Sequence, residues 1–172
     1  MDPPLRETLL VKGDVDAITG FYFTSLLNLN ARGIKDEDVD VMMYPKYGVN
    51  LYGNAIIVSE QFLKEKPEAV KAFLRAFTKG MKDVLADPDA SIKFVKERDA
   101  LVDETLEKRR MKLAIESVIV TPEAKADGLG AVQPASLNDM ETQVSLAFEL
   151  KYPVQGDASF NSSFLPAKAD RM

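Results

Sequence analysis

The chain has 172 residues, 46% hydrophobic and 28% charged, with a net charge of −5, which suits one globular domain with a real core. An acidic chain without a cluster of Lys and Arg argues against nucleic acid and anionic membrane surfaces as partners. It holds no cysteine and no histidine, which excludes disulfides, thiolate metal sites, Ser-His-Asp and Cys-His catalysis and the commonest zinc ligand, and implies no metal and no cofactor.

In chain order, Pro3 or Pro4 suits the first position of a helix whose apolar stripe is Leu5, Leu9 and Leu10, and Gly13 ends it. Residues 15–19 read as a short buried strand. Gly20-Phe21 then turns a corner into a helix carrying Phe23, Leu26, Leu27 and Leu29, closed by Gly33. Residues 39–44 read as a second strand, stopped by Pro45, and Tyr47-Gly48-Val49-Asn50 as a turn. Residues 51–58, apolar and rich in β-branched side chains, predict a third strand. No apolar run approaches the ~20 residues of a membrane span, and Met1-Asp2-Pro3-Pro4 carries no secretory leader.

Beyond Ser59 the pattern is helical. Ser59 caps a short helix with Phe62 and Leu63, and Pro67 opens a longer one. Val70, Phe73, Leu74, Phe77, Met81, Val84 and Leu85 recur at spacings of three and four, and the Phe73, Phe77 and Met81 stripe is expected to be core. Asp87-Pro88 starts a helix with Ile92, Phe94 and Val95; Asp103 starts one with Leu106, Leu113 and Val118. Thr121-Pro122 repeats the cap-and-proline device, Gly128 and Gly130 make a loop, and Ser136 begins a last helix with Leu137, Met140, Val144 and Phe148. The tail from Pro153 is expected to run extended over the surface.

Ligands of open α/β sheets bind at strand carboxyl ends beside helix N-termini, which makes Thr19, Gly20, Phe21, Tyr22 and Thr24 the first candidates for a small-molecule site. Gly20 allows close approach to backbone, and the rings offer stacking surface or simply core. Tyr47 and Asn50, with Tyr44, Tyr52 and Asn54, form a polar-aromatic group that serves either a ligand or turn and edge packing. Asp14 and Asp16 suit turn and capping chemistry and carry no catalytic role. Lys108-Arg109-Arg110 spans most of a helix circumference and reads as a solvated face, with Glu104 and Glu107 in reach for pairs.

Gly13-Asp14-Val15-Asp16-Ala17, followed by Asn54-Ala55-Ile56-Ile57-Val58-Ser59 and Lys66-Pro67-Glu68-Ala69-Val70, resembles the substrate-binding proteins of ABC importers. The branch is the one serving nitrate, sulfonates, taurine and thiamine-pyrimidine precursors. The resemblance implies the C-terminal portion of an α/β, periplasmic-binding-protein type II-like fold. Residues 1–48 would end lobe 2 as a βαβ-like unit, and residues 49–172 would return to lobe 1 as one strand and then helices. It further implies a cleft lined by Thr19, Gly20, Phe21, Tyr22 and Thr24, with Tyr47 and Asn50 at the crossover. A small anionic or planar solute, ABC permease subunits as partners, no enzymatic activity, and a periplasmic or membrane-anchored extracellular location of the full-length protein follow from it. One alternative is a stand-alone cytoplasmic half-protein acting as an interaction or regulatory module. A pyrimidine-precursor synthase on the same fold consumes an active-site histidine, which this chain lacks. Three strands leave sheet edges and helix faces without partners, so the isolated chain is expected to form a homodimer with little solute affinity.

Overall fold

A computed structural model describes residues 5–151 and 159–172. The expected role of Pro3 or Pro4, and the 153–158 part of the tail, lie outside the described residues. Among the described residues eight α-helices are given bounds: α1 (Arg6–Lys12), α2 (Tyr22–Asn30), α3 (Glu60–Glu65), α4 (Pro67–Ala86), α5 (Pro88–Arg98), α6 (Glu104–Ala114), α7 (Pro122–Asp127) and α8 (Pro134–Ala147). A π-turn over Ile115–Ile119 continues α6, so Val118 falls beyond the regular helix.

The helix boundaries follow local chemistry. Gly13 closes α1 in the left-handed region (φ 77°), its N–H bonding the Leu10 carbonyl while Asp14 N–H bonds that of Leu9. The side chains of Ser59, Asp87, Asp103 and Thr121 accept the Phe62, Ala90, Leu106 and Ala124 amides, and Pro88 and Pro122 take the first helical turn behind their caps. The last helix begins at Pro134 rather than Ser136, because the fixed φ of proline suits the first turn and Gln133 precedes it in extended backbone.

By contacts the chain divides into two compact units, Met1–Met43 with Asp87–Ser117, and Tyr44–Ala86 with Val118–Met172. In the first, α2 packs on α6, α5 on α6 and α1 on α2, around buried Leu26, Leu27, Leu29 and Ile92. In the second, α3 packs on α4, and a 3-10 turn at Ser162–Phe164 seats on α4 with Lys71 Nζ over the Phe164 ring. The described tail is therefore docked, not extended: Leu129 N–H bonds the Arg171 carbonyl and Arg171 Nη1 bonds that of Leu129.

Two further expectations change. Among the described residues no strand forms, and segments 15–19, 39–44 and 51–58 have no ladder partners. A strand is held by hydrogen bonds to neighbours, and these segments are divided between the two units. The α/β expectation thus takes the form of helices joined by long irregular segments. Tyr44, assigned by sequence to the second strand, instead opens a 3-10 turn, Tyr44–Tyr47. On α4, Phe73 and Phe77 stack on each other but are 55% and 48% exposed. The helix turns the Val70 and Thr78 side inward, and in its own unit nothing seals the Phe73 side.

Candidate functional site

The corner between α1 and α2 is built by side chains reaching back over it. Arg6 Nη1 donates to the Thr19 carbonyl at 2.9 Å, tying the start of α1 to the segment that enters α2. Phe21 N-caps α2 in extended conformation, and its carbonyl accepts the Thr24 and Ser25 amides at 2.9 and 2.8 Å. The Tyr22 and Phe23 amides are then the first-turn donors, where the helix dipole is positive. Gly20 sits close to Ser25: an added Cβ would displace the Ser25 hydroxyl from its position.

Around this corner lies a cavity of about 370 Å³. Gly20, Phe21, Thr24, Ser25 and Asn28 form one wall, and Arg6, Glu7 and Arg32 complete it. Thr24, Ser25 and Asn28 make a polar stripe on α2, which Arg32 extends just past the helix end, turned away from buried Leu26, Leu27 and Leu29. Arg32 is held by its own helix, Nη1 donating to the Asn28 carbonyl at 2.7 Å and Nη2 reaching Thr8 Oγ1 at 3.5 Å. Phe21 is 47% exposed and stacks on Phe23 at 5.5 Å between centroids, so a flat face is presented at the rim. Two guanidinium groups against the carboxyl of Glu7 make the lining net positive.

The basic triplet does more than solvate a helix. Arg110, half-buried, pairs with Glu107 at 3.0 Å and donates to the Phe23 carbonyl at 3.2 Å, fastening the first turn of α2 to α6. Arg109 donates to Asn30 Oδ1 at 2.8 Å and pairs with Asp36 at 2.5 Å, while Asn30 Nδ2 bonds Asp36 and the Ile34 carbonyl. Only Lys108 has no such role in the site; it borders a second hollow of about 500 Å³ along α5 and α6. That hollow alternates Lys93 and Lys96 with Asp89, Glu97 and Glu104, and Lys96 is already paired with Glu104 at 2.5 Å.

Of the residues singled out by sequence, Gly20, Phe21 and Thr24 share the cavity wall, and Thr19 braces it through its carbonyl. Tyr22 is half-buried and does not line it. Tyr47, in the turn Tyr44–Tyr47, and Asn50 are exposed and belong to the second unit. Arg6, Glu7, Ser25, Asn28 and Arg32 were not foreseen; the polar stripe on α2 was the legible signal for three of them. In the second unit the Tyr52 hydroxyl donates to Glu123 and accepts the Gln133 N–H at 2.9 Å; burial, then the Glu123 bond, raises its pKa above 10.0. Among the described residues no cluster of three or more carboxylates could hold a metal, and no helix is long and apolar enough to cross a membrane.

Residues 5–91 match the family described as NMT1/THI5 like. The chain is 27% identical over 162 residues to the riboflavin-binding protein RibY of Chloroflexus aurantiacus, an alignment covering 91% of this chain and 44% of that protein. It thus spans less than half the length of this curated relative. No solved structure matches.

Proposed function

Because the chain belongs to the NMT1/THI5-like family, we propose that it is the solute-binding component of an ABC-type importer, or part of one, which clamps a small solute reversibly and performs no chemistry on it. The observation that carries this reading is the cavity at the Gly20–Phe21 corner, where Arg6, Arg32 and a helix start present donors beside an exposed ring. Donors of this kind favour an acceptor-rich or anionic solute, and Phe21 favours a planar one. The relative named for riboflavin adds a planar heterocycle to nitrate, sulfonates and pyrimidine precursors as candidates. Tyr22, Tyr47 and Asn50 enter as proposed contacts on the resemblance alone.

Permease subunits as partners, and a periplasmic or membrane-anchored setting, belong to the same proposal. So does the lobe assignment, with residues 1–48 in one lobe and 49–172 in the other. Support for a crossover comes from the change of compact unit at Tyr44; the grouping of Asp87–Ser117 with Met1–Met43 is what the assignment must accommodate. The exposed Phe73 and Phe77 support self-association of the 172-residue chain. The chain by itself, without a histidine, does not supply the residue that the synthase consumes.

A thermal-shift panel of nitrate, taurine, a thiamine-pyrimidine precursor and riboflavin tests the reading on the 172-residue chain; because every residue lining the cavity lies in this chain, measurable binding replaces the little solute affinity expected from sequence. A solute bound only by the folded state at 100-fold its Kd adds about 2.7 kcal/mol of stability, a shift of several degrees for a chain of this size. No shift with any solute would favour the stand-alone interaction module.

A further inference from the structure

The same cavity contains a group that oxyanion binding leaves idle. Glu7 is 6% exposed and lines the cavity, yet among the described residues no hydrogen bond or ion pair engages its carboxylate. Its neighbours in the lining are already committed in part elsewhere: Arg6 to the Thr19 carbonyl, Arg32 to the Asn28 carbonyl and Thr8. Each guanidinium has five N–H donors, so both keep some for a ligand. The carboxylate oxygens are not among the enclosed polar atoms without a partner, so they open into the cavity, where a nitrate or sulfate placed beside them would meet like-charge repulsion.

We propose that Glu7 selects the ligand: the solute of this site carries an N–H donor that bonds the Glu7 carboxylate, together with an acceptor for the arginines. This rests on the cavity being the solute site. The donor can come from the ammonium of a zwitterion or from a neutral ring imide; in both, an N–H meets an acceptor-only carboxylate. Simple inorganic oxyanions satisfy the arginines and leave Glu7 unpaired, so they bind poorly.

The test is an NMR and calorimetric titration of the full 172-residue chain with matched probes. β-Alanine against propionate isolates the ammonium donor, uracil against 1,3-dimethyluracil isolates the neutral one, and sodium nitrate serves as the bare oxyanion. The donor-bearing member of one pair is expected to bind at least about tenfold more tightly than its partner, the scale of one charge-assisted hydrogen bond. That preference should collapse in Glu7→Met, which keeps the side-chain length and removes the acceptor. Glu7→Met should melt at or above the wild-type temperature, because it removes a carboxylate that has no partner among the described residues. A lowered melting temperature would show a structural role and overturn the proposal. So would equal binding within both pairs, nitrate as the best ligand, a preference that survives Glu7→Met, or no binding of any of the five probes. In each of these cases a thermal shift with another solute of the wider panel would leave the solute-binding reading standing. That reading falls only if the wider panel fails as well.

Discussion

The Tyr52 hydroxyl donates to the carboxylate of Glu123, 71 residues further along the chain. Because the same oxygen accepts the Gln133 N–H at 2.9 Å, one phenol fastens the irregular 51–58 segment to the start of α7 and the start of α8. Within the second unit this is a polar substitute for the ladder that the segment lacks.

Tyr52→Phe should therefore cost about 1–2 kcal/mol, read by urea unfolding at neutral pH. The pH dependence has a definite sign. Burial, followed by the bond to Glu123, raises the Tyr52 pKa above its ordinary 10.0, so the folded state holds the phenolic proton more tightly than the unfolded chain. The contribution is whole below pH 10.0 and is lost as pH rises through the folded value. The stability gap between wild type and Tyr52→Phe should close over that alkaline window. A gap that stays constant from pH 8 to 11 would exclude the Tyr52 proton as its source.

Arg110 and Arg109 should differ in weight. Arg110 is half-buried and bonds the Phe23 carbonyl as well as Glu107, so Arg110→Met should cost about 1–3 kcal/mol through the unpaired carbonyl and carboxylate. Arg109 pairs with Asp36 at a more exposed position, and Arg109→Ala should cost under about 1 kcal/mol. Raised salt should weaken the Arg109 contribution more. Equal losses in chemical denaturation would contradict the difference in burial.

At the cavity, Phe21→Ala should weaken solute binding about three- to tenfold, the value of one lost ring contact. Tyr22→Ala, whose ring does not line the cavity, should change it less. Gly20→Ala should force the Ser25 hydroxyl from its position and perturb the same wall, with little loss of helicity by circular dichroism. Titration of the three variants with whichever solute shifts the wild type ranks them. A larger effect from Tyr22 would move the site off this cavity.

The Phe73 and Phe77 face should make the chain associate. Light scattering at micromolar concentration is expected to give a dimer. Phe73→Ser with Phe77→Ser should shift it to monomer without loss of helix, since both rings are about half exposed and carry little of the unit's own packing. A monomeric wild type would mean that the exposed rings are tolerated singly.

The helix starts were legible because their causes act within about four residues. Ser59, Asp87, Asp103 and Thr121 accept amides three positions on, and Gly13 reaches the left-handed region that ends α1. The Gly20–Phe21 corner was legible for the same reason. The strands were not, since β-branched runs such as 51–58 state a preference and only neighbouring strands can supply the ladder.

From sequence alone came the capped helix starts at Ser59, Asp87, Asp103 and Thr121, the amphipathic period of α4, the absence of thiol and imidazole chemistry, and the Gly20–Phe21 corner proposed for the solute. Tertiary structure alone decided that Arg6 and Glu7 close the cavity against the α2 stripe, that Arg110 reaches the Phe23 carbonyl, and that Phe73 and Phe77 face outward. The reason is range. A cap or a left-handed glycine is settled by bonds along one stretch of backbone, whereas burial and a cavity depend on which surfaces, far apart in the chain, exclude water from one another.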